Sequence, residues 1–361
     1  MNLVIPGPVP VPLPAPAWLL QLLLVFTFIL HLLPMNLLMG GAAMLAVSSY
    51  VGRSNPHHRE LTRRASRLMP PVVAFSITLG VAPLLFLQLL YGQLFYTSSV
   101  LMAWAWLAVI LLLMLGYYGI YWFSMQQEEL GTRGFWVILV TAIIFLHIMM
   151  IFVQNMSLLE RPQDFYSEFM ARSVGAYLGS LDALTLARFF HMLVASFAVA
   201  GLGVALVSGV WKGEAPEFAA WARRYGVKWF LAWTGVQFLA GIWFLLEQPT
   251  GIRARFLGGD RLATALLALA IALAVLAMLA ASRSLAASCF AIVGTISLMA
   301  VIRHLVRLER LRSYFDAHTL PVEGQWVVFG IFAVLLVAGL ATVGWMLYKF
   351  FRAASAPTAS A

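Results

Sequence analysis

The sequence predicts an all-α polytopic membrane protein with nine transmembrane helices, arranged as two duplicated four-helix bundles followed by one C-terminal helix. Of its 361 residues, 62% are hydrophobic and only 10% are charged. Apolar runs of eighteen or more residues recur along the chain, and such runs are typical of membrane-spanning helices. Histidines recur at matching places in the two halves, which indicates an internal duplication.

Charged breaks divide the apolar sequence into nine segments. Because an α-helix rises 1.5 Å per residue, about 20 residues cross the hydrocarbon core of a bilayer. The predicted helices cover about 17–50, 70–96, 100–124, 134–154, 181–211, 226–247, 262–281, 285–311 and 325–350. The first segment is longer than a bilayer requires, so its early turns are expected among the lipid headgroups, and Pro34 is a candidate kink.

These segments define six regions of the chain. The first is rich in proline, which favours an extended arm, and it lacks the positively charged start of a signal peptide, so we expect it to be retained. The predicted regions are a periplasmic arm (1–16), a first bundle (17–154), an outer loop (155–180), a second bundle (181–311), an outer loop (312–324), and a ninth helix with an inner tail (325–361).

We expect a bacterial inner-membrane protein, and the distribution of basic residues predicts that its N-terminus lies outside and its C-terminus inside. In this orientation thirteen of the 23 Lys and Arg residues lie inside, including all three lysines, and every outer cation is an arginine. Outer arginines contact lipid headgroups or form bidentate pairs with carboxylates such as haem propionates. We therefore attribute the net charge of +9 to the membrane surface, with no nucleic-acid partner.

Four of the seven histidines fall within predicted helices: His31, His147, His191 and His304. Ionisable groups inside a membrane are candidates for function, and all four are expected in the outer half of the bilayer. Their spacing repeats, because 116 residues separate the first pair (147 − 31 = 116) and 113 the second (304 − 191 = 113). The other three are expected to be solvated in loops: His57, His58 and His318.

Glycines repeat along with the histidines. Gly41 follows His31 by ten residues and Gly201 follows His191 by ten, while Gly-Val pairs occur at 80–81 and 235–236 in the next helices. Two histidines at equal depth in one bundle are able to hold an iron between them, with small residues beside the macrocycle and arginines at its rim. The predicted metal ligands are His31, His147, His191 and His304, and the predicted cofactor-binding residues are Arg188, Arg303, Arg307, Gly41 and Gly201.

The helix histidines have alternative explanations to haem ligation. A single buried histidine is more often an interhelical hydrogen-bond partner than a ligand. A zinc or copper site lacks Cys or carboxylate companions, and a proton relay would usually add Asp or Glu at mid-membrane. The lone Cys289 excludes a CxxCH attachment site, so any haem is held non-covalently. Pairing within each bundle is preferred, and pairing across the bundles stays open.

Several stretches resemble subunit I of the cytochrome bd quinol oxidases. LARFFHMLVASFAVAGL (186–202) resembles its fifth helix, where an Arg-Phe-x-His run supplies a haem b ligand, and the resemblance implies that role for His191. FILHLLPMNLLMGG (28–41) resembles its first helix, whose histidine binds the oxygen-reactive haem, which implies a ligand role for His31. ITLGVAPLLFLQLLYG (77–92) and FVQN (152–155) resemble its second helix and the end of its fourth.

The chain departs from this family at the residues that oxygen reduction uses. The second and third helices lack the family's carboxylates, and the quinol-binding loop after the sixth helix is reduced to QPTGIRARFLGGDR. No methionine opens the seventh helix, and the eighth ends AVIRHLVRLER without the haem-binding glutamate. His147 and His304 lie outside the motifs that carry the resemblance.

These features together predict a diheme b-type cytochrome, with two non-covalent, bis-histidine haem b groups. It would transfer electrons between the quinone pool and a periplasmic partner, either a c-type cytochrome or another redox subunit, as part of a quinol-linked oxidoreductase. Candidate quinone-pocket residues are Trp18, Gln88, Tyr91 and Glu247, although Trp and Tyr near helix ends are usually interfacial anchors. The alternatives are a bd-like terminal quinol oxidase and a cofactor-free transporter or anchor subunit.

Overall fold

The computed structural model describes residues 11–172, 174–179 and 181–355. This part of the chain is almost entirely helical, as the composition predicts, and its one β-feature is an isolated bridge. The helices are α1 (Ala17–Val51), α2 (Pro56–Ser66), α3 (Met69–Leu101), α4 (Ala103–Leu130), α5 (Gly134–Leu159), α6 (Phe165–Ala171), α7 (Ala183–Val207), α8 (Pro216–Leu246), α9 (Thr250–Ala254), α10 (Arg261–Ala280), α11 (Leu285–Leu311) and α12 (Trp326–Ser355).

Eight helical segments in the described part of the chain are long and apolar enough to cross a membrane. The prediction of a helical, multi-pass membrane protein is therefore confirmed at this level. One of the eight, residues 103–159, contains both α4 and α5. A 3₁₀ turn joins these two helices, and its Gly131 has a φ of +50°, a conformation that glycine adopts at little cost.

Most predicted helix boundaries lie within a few residues of the observed ones, and α8 is the main exception. It begins at Pro216 instead of about residue 226, because residues 216–225 are too charged to read as membrane-spanning yet suited to a helical start. Proline occupies its first turn, and Phe218 and Ala222 pack with Leu61 of α2 and Trp211 in a small apolar core. Hydropathy detects apolar length, so it missed this extension as well as α2.

The long helices pack as hairpins. In what we term the first unit, α1 packs on α3 and α4 on α5, and in the second unit α7 packs on α8 and α10 on α11. The first helices of the two units, α1 and α7, meet along their length. At Gly40 of α1 this approach is so close that a Cβ would lie 2.0 Å from the carbonyl oxygen of Ser196 on α7.

The beginning of the described chain is attached to the segment that precedes α12. Leu13, in the predicted Pro-rich arm, is 2% exposed and pairs with the segment before α12: its N–H donates to Pro321 (2.8 Å), and its carbonyl accepts from Glu323 (2.9 Å). Residues 1–10 of that arm lie outside the described residues. The last helix, α12, is mostly exposed and contacts α3 through Phe332 and Phe86, whose ring centroids are 5.5 Å apart.

Candidate functional site

His31 lies on α1 with its imidazole fixed against α3. Its Nδ1 is 2.9 Å from the backbone carbonyl oxygen of Ser76. Because a carbonyl oxygen only accepts, Nδ1 carries the proton and Nε2 keeps its lone pair, which is the arrangement that metal-binding histidines use. The ring also lies against Gly80, where a Cβ would be 2.9 Å from its Cε1 atom, so only glycine fits there without movement.

His191 lies on α7 in a similar relation to α8. The amide of Gln237 is 3.0 Å from its Nδ1, and the ring stacks on Phe244 with centroids 5.5 Å apart. In the orientation of the structure, the amide Nε2 faces the imidazole and Oε1 is buried without a hydrogen-bond partner. The amide nitrogen is also 3.4 Å from Nε2 of the ring, so Gln237 faces both ring nitrogens. In the reverse orientation of the amide, which has the same shape, Oε1 would accept a hydrogen bond from Nδ1.

A glycine faces the histidine in each unit. Gly241 lies beside His191, with a Cβ position 3.4 Å from the Cε1 atom of the ring. The spacing is 49 residues from His31 to Gly80 (80 − 31 = 49) and 50 from His191 to Gly241 (241 − 191 = 50). Gly235, which the sequence pattern matched to Gly80, has no neighbouring atom within 4 Å of its Cβ position. The structural counterpart of Gly80 is therefore Gly241.

The structure does not bring the two preferred histidine pairs into contact. His147 is exposed on the surface of α5, whereas the ring of His31 packs on α3. His304 on α11 lines a small cavity with Phe28 of α1 and with Arg303 and Arg307. Its Nδ1 is buried and has no hydrogen-bond partner. His304 of the second unit thus faces the first unit.

A buried carboxylate, Glu160, lies at the end of α5 among guanidinium groups from α7 and α11. We call this group the arginine cluster; its members are Glu160, Arg188, Arg303, Arg307 and Arg310. Arg188 donates from Nη2 to Oε2 of the carboxylate (2.7 Å), while the Nε atoms of Arg307 and Arg310 lie 3.7 and 3.9 Å from its oxygens. Glu160 was not predicted from the sequence. In the sequence it is only a single acidic residue that lies a few positions after the fourth predicted helix.

The arginine cluster carries more positive than negative charge. Glu160 is 3% exposed and Arg307 is 2% exposed, so neither charge is well solvated. Burial alone would raise the pKa of Glu160, but the charges of Arg188, Arg307, Arg310 and Arg303 outweigh it and lower the pKa to about 2. Four guanidinium groups consequently share one ionised carboxylate.

Aromatic rings lie against two arginines of the cluster. The guanidinium carbon of Arg303 is 4.6 Å from the ring centroid of Phe28, and that of Arg307 is 5.7 Å from the ring centroid of Tyr91. Such cation–π contacts stabilise a desolvated cation, but they supply no counter-charge. Tyr91 is itself 1% exposed, and its hydroxyl has no hydrogen-bond partner.

The two glycines predicted to lie beside a cofactor contact protein atoms closely. A Cβ on Gly201 would be 2.6 Å from the backbone nitrogen of Phe230, because α7 and α8 pack tightly there. A Cβ on Gly41 would be 3.1 Å from the sulfur of Met69, at the flexible end of a side chain. Helix packing therefore explains both positions in this structure.

The four candidate quinone-pocket residues do not form one pocket. Trp18 is 60% exposed, and Tyr91 is in the interior. Gln88 accepts a hydrogen bond from Tyr96, and Glu247 accepts one from the indole of Trp243, both at exposed positions. Trp18, Gln88 and Glu247 thus occupy the surface that interfacial anchors occupy.

The loop histidines differ from one another. His318 is exposed and hydrogen-bonds Asp316, as expected of a solvated residue. His57 is exposed but stacks on Trp221, with centroids 5.0 Å apart. His58 is half-buried beside Trp221, and burial together with the charge of His57 lowers its pKa. The expectation of a solvated side chain was therefore wrong for His58, because α8 extends beneath α2.

Comparison with known proteins does not assign this chain to a family. No protein-family model and no curated protein sequence matches it. The resemblance to the bd oxidase subunit, which is carried by the helix motifs quoted above, stays a prediction.

Proposed function

We propose that the chain is a b-type membrane cytochrome that binds two haem b groups non-covalently and transfers electrons between the quinone pool and an outer redox partner. The observation that carries the proposal is the 2.9 Å contact between His31 Nδ1 and the carbonyl oxygen of Ser76, from which the protonation state of the ring follows. Its Nδ1 donates to Ser76, and its Nε2 is left available as an axial ligand. The same relation to a facing glycine recurs at His191, so the duplicated units offer one ligand each.

The residues present fit haem b in their chemistry. Bound haem supplies one-electron redox chemistry at its iron, and the chain supplies imidazoles and cationic partners for the carboxylates. His31 and His191 would bind the haem iron, with the Gln237 amide oxygen accepting from His191 Nδ1. Arginine side chains of α11, including Arg303 and Arg307, carry the charge that carboxylates require.

The second axial ligands are proposed from the two remaining helix histidines. His304 has a buried Nδ1 without a partner and faces α1, so it is suited to a role across the two units. His147 would have to turn inward from its exposed position on α5. Two histidines on one iron close the position that oxygen needs, and electron transfer is then the function that remains.

We also propose nine membrane crossings, because the turn at Gly131 divides the 57-residue apolar segment into two packed helices. An odd number of crossings places the two ends of the chain on opposite sides. The lysines then all lie inside, with the N-terminus outside in a bacterial inner membrane.

Histidine variants of the full-length protein test the ligand assignment. We expect His31→Ala and His191→Ala each to lower the pyridine haemochrome value from about two haems per chain to about one, since each removes an axial ligand. His318→Ala is the matched control, because that side chain is exposed in a loop and should leave the value unchanged. Full haem content in both helix variants would contradict the assignment.

One observation favours a second candidate function, a terminal quinol oxidase. Because His147 is exposed, His31 has no second histidine in contact with it within its own unit. A haem held by His31 alone would keep an open position for oxygen. This alternative predicts that carbon monoxide changes the spectrum of the reduced protein, and that His31→Ala abolishes the change.

A further inference from the structure

Arg188, although predicted to bind a cofactor, is already paired within the protein. Its Nη2 donates to Glu160 at 2.7 Å, and its Nη1 donates to the hydroxyl of Ser157 at 3.1 Å. Both partners belong to the end of α5, so this side chain ties the second unit to the first. A buried ion pair with these extra hydrogen bonds is satisfied as it stands.

Two arginines of α11, in contrast, lack hydrogen-bond partners at their Nε atoms. The Nε atoms of Arg307 and Arg310 are buried and have no hydrogen-bond partner, and their distances to Glu160 exceed hydrogen-bond length. Arg310 makes one long hydrogen bond, from Nη2 to Gln248 (3.4 Å). After Glu160 has neutralised one charge, the guanidinium groups of three arginines remain in excess, of which Arg307 is fully buried and Arg303 and Arg310 are partly buried.

Other buried donors without partners occur on the helices that face Arg307. They are the Tyr91 hydroxyl on α3 and the Gln21 Nε2 on α1, which face each other without a well-formed hydrogen bond. The ring of Tyr91 lies directly under the guanidinium of Arg307. Since unmade hydrogen bonds of buried groups are costly, several such donors around one excess charge indicate an acceptor that carries negative charge.

We propose that the carboxylates of one bound haem dock between α1, α3 and α11, on Arg307, Arg310 and the hydroxyl of Tyr91. This inference rests on the proposed function and makes it specific: one haem is shared by the two units, and Arg188 is committed to Glu160. A neutral quinone carbonyl would satisfy the donors but would leave three positive charges uncompensated, so carboxylates fit the site better.

The test compares haem with haem dimethyl ester, which has the same iron and ring but no free carboxylates. Haem-free full-length protein is titrated with each compound, and binding is followed by absorbance. We expect one of the two sites to bind the ester roughly 10–100-fold more weakly than haem, because charge-assisted hydrogen bonds are lost. In Arg307→Gln, haem should bind that site as weakly as the ester does.

Two further variants separate docking from folding. Tyr91→Phe removes a hydroxyl whose one polar neighbour, Gln21, forms no well-formed hydrogen bond with it, so the variant should fold, and it should weaken haem but not ester binding at the same site. Arg312→Gln is the matched control on α11, because that side chain is 75% exposed. Equal affinities for haem and ester at both sites, or a full preference for haem in Arg307→Gln and Tyr91→Phe, would overturn this inference while leaving the cytochrome proposal intact. Absence of any haem binding would overturn both.

Discussion

Glu160 shows how one residue determines the electrostatics of this membrane protein. It is the only acidic partner that Arg188 contacts in the described structure, and it also faces Arg307 and Arg310. Removing one member of a buried ion pair leaves the other charge without compensation, which costs more than removing both. The carboxylate is therefore expected to be strongly coupled to Arg188.

A double-mutant cycle measures this coupling. We expect Glu160→Gln alone to lower the free energy of unfolding by about 3–5 kcal/mol, since four guanidinium groups then lack a carboxylate. The double variant Glu160→Gln/Arg188→Gln should lose less than the two single variants combined. Thermal unfolding in detergent checks this, and strictly additive losses would show that the pair is not coupled.

Lowering the pH should weaken the interaction between the Glu160 carboxylate and the arginines. The pKa of Glu160 is about 2 in the folded protein, below its ordinary value of 4.5, so the unfolded chain binds the proton more readily. The stabilisation is thus fully present above about pH 4.5 and is lost as the pH falls toward 2. We expect unfolding measured across this range to be less pH-dependent in Glu160→Gln than in the wild type. An identical pH dependence would contradict the assignment.

Single candidate residues could be predicted from the sequence, but the residues with which they form contacts could not. His31 and His191 stood out because imidazoles are rare in apolar helices, and the structure places both beside glycines. Glu160 was missed because a single acid at a helix end looks like an ordinary solvated residue. Which arginine pairs with which acid depends on contacts between α5, α7 and α11, and these are distant in sequence.

At the scale of helices, apolar length predicted where the spans lie but not which face points inward. A membrane helix is apolar on its lipid face as well as its protein face, so periodicity carries little information about orientation. His147 illustrates this, because its depth matched that of the other histidines while its side chain faces outward. The glycine repeat was likewise assigned to Gly235 when the residue that faces the imidazole is Gly241.

The helix contact beside His31 gives a direct test of the site. In Gly80→Ala the new methyl group would lie about 3 Å from the imidazole, so the ring must turn and its hydrogen bond to Ser76 should weaken. We expect an altered absorption spectrum or loss of one haem. Gly235→Ala is the matched control because its Cβ position has no neighbour within 4 Å. The same spectrum in both variants as in the wild type would argue against ligation by His31.

At the scale of the whole molecule, two hairpin-built units meet along α1 and α7, and the arginine cluster joins them at the end where α5 stops. The sequence predicted the duplication from histidine spacing, but it could not predict the charged junction, which depends on three separate helices. This junction makes a cofactor shared between the units physically reasonable.

A reduced-minus-oxidised optical spectrum of the purified protein shows whether the chain carries haem b for electron transfer. Pyridine haemochrome quantitation and addition of carbon monoxide complete the measurement. We expect about two b haems per chain and no carbon monoxide shift, because two histidines would leave no open position on each iron. A carbon monoxide-reactive haem would contradict electron transfer as the function and favour the oxidase, and protein without haem would contradict the cytochrome proposal altogether.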